Sequence, residues 1–179
     1  MDTKDVVKGD NHPLHIKIGK LIMLHFPNCE SSRECDGGHY IPLYCSDENR
    51  DATKYCMVDL LIPKDEKIKV IIEIEKSNIK PIQIFGKVFA SALSSYYIYD
   101  SKKYKMDDTV KFIQILYASE LKKESSKLEQ FNNIQKSIQN VIPRFSKIKN
   151  YEIICVTNNL ESDADTKNKI INSIREGLK

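Results

Sequence analysis

The chain has 179 residues, 41% hydrophobic and 30% charged, with 28 basic residues against 25 acidic ones and a net charge of +3. That length suits one domain, and that balance supports a packed core and excludes a disordered tail. The charge permits a polyanionic partner without demanding one, and no apolar run approaches the roughly 18 residues a membrane span needs. Asp2, Asp5 and Asp10 stand among the N-terminal lysines, unlike a signal or transit peptide. The sequence therefore reads as a single cytoplasmic domain over 1–179, with a flexible polar end at 1–10. Five cysteines, an odd number without an export signal, are expected as reduced thiols.

Asn11 and Pro13 open a predicted helix whose Leu14, Ile18, Leu21, Ile22 and His25 keep helical spacing until Pro27 stops it. Residues 28–38 read as a polar loop, 40–45 as a strand, 46–54 as a polar connection and 55–62 as a second strand. A tight turn at 63–66 joins it to a third strand at 68–75, rich in β-branched residues, so these two form a hairpin. Ser77 or Asn78 caps the next helix, with Pro81 near its start. Ile82, Phe85, Phe89, Ala92, Leu93 and Tyr96 mark its predicted buried side. A polar loop at 100–108 precedes a fourth strand at 110–117. Leu128, Phe131, Ile134, Ile138, Val141 and Phe145 trace a helix from about residue 124. A fifth strand at 151–157 and a helix at 167–178 close the chain. A hairpin followed by helical crossovers predicts an α/β fold: a mixed sheet of about five strands flanked by helices.

The informative segments are Val58-Asp59-Leu60 and Ile72-Glu73-Ile74-Glu75-Lys76. Strand side chains alternate, so Glu73 and Glu75 share one face and Ile72 and Ile74 take the other. Asp59 is an acid inside an apolar run, and the hairpin brings it beside Glu73 if the register allows. A solvated cross-strand pair accounts for Glu73 and Glu75 taken alone. Three gathered carboxylates repel one another, and a divalent cation removes that repulsion. An all-oxygen set suits Mg²⁺ or Mn²⁺.

An acid on one strand, a tight turn, then a second acid two residues before a motif position, followed by a helix, resembles the PD-(D/E)xK nucleases. That superfamily holds type II restriction endonucleases, Holliday-junction resolvases and repair nucleases. Asp59 matches the first acid and Glu73 the second, and the order of elements matches the common core over about residues 12–157. The motif itself is three residues wide. Val58 stands where the family often has Pro, and Glu75 stands where it has Lys. The resemblance implies a restriction-endonuclease-like fold and Mg²⁺-dependent hydrolysis of double-stranded DNA, with Mn²⁺ an alternative ion. It implies Asp59, Glu73 and Glu75 as metal ligands, with Glu75 also a candidate general base. A type II enzyme implies a homodimer on a palindromic site.

The cation that Glu75 replaces has three candidates: Lys76, Lys80 and Lys87. Gln83, Lys87 and Ser91 form a polar stripe on the helix after the strand, so Lys87 joins the catalytic set and Gln83 the DNA-facing one. Asn49, Arg50, Thr53 and Lys54 precede the Asp59 strand, and Lys102, Lys103 and Lys105 form the densest basic cluster. Both segments are candidate DNA contacts or ordinary solvated loops. Two other readings stay open: a non-catalytic DNA-binding protein that keeps this fold, and an interaction domain holding zinc on Cys29, Cys35, His39 and Cys45. His12, His15 and His25 read as surface or core side chains rather than ligands.

Overall fold

A computed structural model of the chain describes residues 13–76, 78–118, 126–157 and 159–179. The expected polar end at 1–10, the cap at Asn11 and the cap at Ser77 lie outside the described residues. In chain order the elements are α1 (Pro13–His25), β1 (Glu30–Ser31), β2 (Ile41–Tyr44), β3 (Lys54–Val58), β4 (Leu60–Lys64), β5 (Lys67–Lys76), α2 (Pro81–Leu93), β6 (Tyr96–Tyr99), β7 (Lys102–Tyr117), α3 (Ser126–Phe145), β8 (Ile148–Val156) and α4 (Ala164–Gly177). Short 3₁₀ turns at Arg33–Cys35 and Asp51–Thr53 link β1 to β2 and β2 to β3.

The fold is α/β, a mixed sheet flanked by four helices among the described residues. The sheet has eight strands rather than about five, in the order β1-β4-β5-β7-β6-β2-β3, with β8 beside β7. Three differences from the expected pattern account for this. Residues 28–38 contain β1, which pairs with β4 through Glu30 and Leu61. The run 55–62 is two strands, because the chain changes partners at Asp59: β3 pairs with β2, and β4 pairs with β5 and β1. Residues 100–108 are not a loop. They hold the turn of an antiparallel hairpin, β6 with the first part of β7, turned at Asp100 with φ 53°. The many lysines of that hairpin point outward, which gave it a loop-like composition.

The β4–β5 hairpin forms as the sequence predicts. Asp65 and Glu66 both take positive φ at its tip, the backbone signature of a type I′ turn. β5, β7 and β8 run parallel, joined by crossovers that carry α2 and α3. Two apolar layers result. Ile71, Phe112, Leu116 and Tyr151 pack under α2 and α3. Ile72, Ile74, Ile113, Ile115 and Ile154 pack under α1 and α4.

The buried face of α2 differs from the predicted one. Ala92 is buried as expected, and Ile84, Val88 and Ser91 face the sheet with it, while Ile82, Phe89 and Leu93 are exposed, Phe85 is half-buried and Tyr96 lies on β6 rather than on the helix. The helix is apolar nearly all round, so spacing alone picked the wrong stripe. α3 follows expectation through Phe131, Ile134 and Ile138 and then departs from it. Ile142 is buried, and Val141 and Phe145 face outward.

Candidate functional site

Asp59 sits between β3 and β4, and both its backbone and its side chain are used away from the normal ladder. Its carbonyl accepts the Ser32 N–H at 2.8 Å. Its carboxylate accepts the Ile74 N–H at 2.7 Å, which pins the acid against the C-terminal part of β5. The β4–β5 register pairs Leu60 with Ile72, so the next step along the ladder brings Asp59 to Glu73, as the hairpin argument required. On β5, Val70, Ile72 and Ile74 enter one layer and Ile71 the other, which sets Glu73 and Glu75 on the face beneath α2.

Lys87 reaches down from α2 onto both acids. Its Nζ lies 2.7 Å from Glu73 and also contacts Glu75. Of the three candidate replacement cations, Lys87 is the one that pairs with Glu73 and Glu75. Lys76 lies at the edge of the same cleft, and Lys80 precedes the first residue of α2, where its N–H donates to Gln83 Oε1. Ser91, the third member of the polar stripe, is fully buried against the Cys56 thiol and takes no part. Gln114 on β7 stands in register beside Glu73. Its carbonyl accepts the Tyr151 hydroxyl at 2.8 Å, and its Nε2 finds no hydrogen-bond acceptor among the described residues.

The electrostatics follow from crowding. Burial pushes the Glu73 carboxyl well above its usual range, the Asp59 charge adds to the rise, and Lys87 opposes it. Burial also raises Asp59, partly offset by the Ile74 N–H and by His15 and Lys87. Burial alone would lower Lys87, but the charges of Glu73 and Glu75 hold it above the ordinary lysine value.

Two residues outside the expected set complete the cleft. His15 of α1 and Glu34 of the first 3₁₀ turn approach Asp59, with His15 Nε2 3.8 Å from an oxygen of each acid. Their ligand atoms and that of Asp59 all lie within 4.8 Å of one another. Gly19 permits this approach, because a Cβ there would stand 2.5 Å from the Cys35 carbonyl and push α1 off the turn that carries Glu34. The sequence held one trace of His15: it shares a stripe with Ile18 and Ile22, which are core residues. Glu34, in a polar stretch, gave no signal. His15, Glu34, Asp59, Glu75, Lys76, Asn78, Gln83 and Lys87 together line an open cleft of about 240 Å³.

The other candidates stand elsewhere. Lys102 reaches Glu30, which pairs with Leu61, two residues along the chain from Asp59. Lys103 meets Asp47, Lys54 meets Asp51 and Arg50 meets Glu48, and the Asn49 carbonyl accepts the Tyr44 hydroxyl. These side chains are paired within the chain, and none of them lines the Asp59 cleft. The zinc set does not assemble. Among the described residues, His15, Glu34 and Asp59 are the one group of three or more whose ligand atoms converge. Cys29, Cys35, His39 and Cys45 do not, and neither does the expected metal set of Asp59, Glu73 and Glu75, because Glu73 and Glu75 turn to the Lys87 ammonium instead. Cys35 is a buried core thiol, and burial pushes the Cys29 thiol up to about 12. Among the described residues, no helix is long and apolar enough to cross a membrane. No protein-family model, curated protein or solved structure matches the chain.

Proposed function

We propose that the chain is a divalent-cation-dependent endonuclease of the restriction-endonuclease-like class, hydrolysing phosphodiester bonds of double-stranded DNA in the Asp59 cleft. One observation carries this reading. The lysine absent from the motif position is supplied from α2, where Lys87 pairs with Glu73 and Glu75 beside Asp59. The full set of two acids, a third polar position and a cation is therefore present, displaced by one helix.

The donor set fits a cation. His15, Glu34 and Asp59 offer one nitrogen and two oxygens at mutual distances a single ion can span. An imidazole among carboxylates moves preference from Mg²⁺ toward Mn²⁺. When bound, such an ion supplies positive charge against the phosphate and acidifies water. The chain's own residues do the rest. The Ile74 N–H holds the Asp59 carboxylate in place. Glu73, fully buried, keeps the Lys87 ammonium aimed at the cleft, where it meets the negative charge that develops on phosphorus. Glu75 lines the cleft and takes the proton of the attacking water. The water oxygen bonds to phosphorus, the bond to the leaving sugar oxygen breaks, and that oxygen takes a proton from solvent. Lys76, Asn78 and Gln83 line the same cleft and contact the backbone of the strand being cut.

The test is cleavage of supercoiled plasmid with Mg²⁺ or Mn²⁺. Asp59→Ala and Glu73→Ala are expected to lose more than about a hundredfold in rate while still retarding duplex in a gel. Equal cleavage by wild type and both variants contradicts the reading. Duplex binding by a wild type that never cuts favours the non-catalytic alternative.

A further inference from the structure

Gln114 is the one buried amide side chain among the described residues, with none of its surface exposed. It stands on β7 between β5 and β8. Phe112 and Leu116, on either side of it along the strand, enter the layer beneath α2 and α3, so alternation sends Gln114 into that apolar layer too. The carbonyl end of the amide takes the Tyr151 hydroxyl from β8 at 2.8 Å. The amino end is turned away from Tyr151, toward β5, and has no acceptor among the described residues. Burying such a donor unpaired is costly, so its presence calls for a cause. Its register neighbour on β5 is Glu73, one strand spacing away at roughly 4.8 Å. Glu73 is itself buried, and the donor it has is the Lys87 ammonium, which it shares with Glu75. A buried donor lacking an acceptor therefore stands beside a buried carboxylate whose cation is divided between two acids.

We propose that Gln114 is a positioning residue: its Nε2 donates to the Glu73 carboxylate when Lys87 moves out of its pair with Glu73 toward a phosphate in the cleft. The destination of Lys87 rests on the nuclease reading, and the pairing of Gln114 with Glu73 rests on the register and burial alone. Lys87 has two tasks that compete. Held by Glu73 and Glu75 it neutralises them, and its ammonium also borders the open cleft. A shift of Nζ into the cleft lengthens its bond to Glu73 and strips a buried carboxylate of its donor. Gln114 is placed to take over, and Tyr151 grips the amide by its carbonyl end, so the donor end stays directed at β5. Glu73 then keeps its place beside Asp59 instead of following the ammonium, and the floor of the cleft stays fixed while Lys87 moves.

Removing the Lys87 ammonium by substitution reproduces its departure without DNA, so the full chain tests the pair directly. In nuclear magnetic resonance, the Gln114 side-chain amide signal, identified by its loss in Gln114→Met, is expected to move downfield in Lys87→Met. Adding Glu73→Leu is expected to abolish that move, which a merely structural Gln114 would not show. Chemical denaturation completes a double-mutant cycle. Gln114→Met is expected to lower the folding equilibrium constant at least about tenfold more in Lys87→Met than in wild type, while the stranded Tyr151 hydroxyl contributes to both and cancels. Lys87→Gln, which removes the charge and keeps a polar group, replaces Lys87→Met if that variant does not fold. An amide signal that stays in place when the ammonium is removed overturns the proposal, and so do equal penalties in the two backgrounds. A wild type that never cuts plasmid overturns the nuclease reading alone, because neither measurement involves cleavage.

Discussion

Two buried glutamates, Glu30 on β1 and Glu73 on β5, each meet one lysine, yet their surroundings are opposites. Glu30 is held by Lys102 at 2.5 Å, by the Tyr97 hydroxyl at 3.3 Å and by His39 Nε2 at 3.5 Å, and His39 itself hydrogen-bonds Tyr97 at 2.8 Å. Every neighbour is a donor or a cation. Glu73 has Lys87 alone, and it shares that lysine with Glu75 while Asp59 raises the local negative charge. The first arrangement is a charge-satisfied knot, although Glu30 and Lys102 also border an open cleft of about 470 Å³. The second is an incomplete one, opening on a cleft that His15 and Glu34 also reach. A buried charge left short of partners costs stability, and such a cost persists where function uses it.

Substitutions that act differently on the two acids sharpen this contrast. Lys87→Met has the largest expected effect. It leaves two carboxylates without their cation and is expected to destabilise the metal-free protein by about 3 kcal/mol at neutral pH, with much of the loss recovered in acid or by adding Mn²⁺. Glu30→Gln comes next, at about 2 kcal/mol, because Lys102, Tyr97 and His39 lose their anion, and Mn²⁺ is expected to give no rescue. Gly19→Ala drives α1 away from Glu34 and is expected to cost about 1–2 kcal/mol and to weaken Mn²⁺ uptake severalfold. Chemical denaturation with and without the ion reads all three. Should Mn²⁺ rescue Glu30→Gln as well as Lys87→Met, the distinction between knot and cleft is lost.

The pH dependence carries its own sign. Glu73 and Asp59 have folded values raised above 4.5 and 3.8, so the folded state holds protons that the unfolded chain releases. Their contribution is fully present below those unfolded values and is lost as pH rises through the folded ones. The melting temperature of the metal-free protein is therefore expected to fall as pH rises from about 4 toward neutrality. Asp107 acts in another window: burial is overcome by Thr109 and Lys69, which hold it down to about 2, so its contribution is lost only in stronger acid. The smallest expected effect is that of Glu73→Gln, which flattens the slope and leaves the metal-free protein unchanged or more stable by up to about 1 kcal/mol. A steep slope that survives this substitution assigns the titration elsewhere.

The parts of the site that are local in sequence were legible there. Alternation set Glu73 and Glu75 on one face, the tight turn paired their strand with that of Asp59, and the polar stripe on the next helix contained Lys87. Four other features resisted, each for a physical reason. His15 and Glu34 come from separate segments, and their approach depends on Gly19 fitting against the Cys35 carbonyl, a contact no periodicity encodes. The partner change at Asp59 is invisible because β3 and β4 have continuous strand composition. α2 has two apolar stripes, and spacing cannot say which of them meets the sheet. The β6–β7 hairpin reads as a loop because its exposed positions are lysine-rich, although its backbone is paired throughout.

The central claim is that the Asp59 cleft completes itself with a divalent cation. Its most direct test is calorimetric titration of Mn²⁺ into wild type and Asp59→Asn at neutral pH, in buffers of different ionisation enthalpy. The account predicts a single site in wild type, with the same stoichiometry in every buffer, and binding weakened at least about tenfold in Asp59→Asn. Uptake of no ion by wild type, or equal uptake by both proteins, contradicts it.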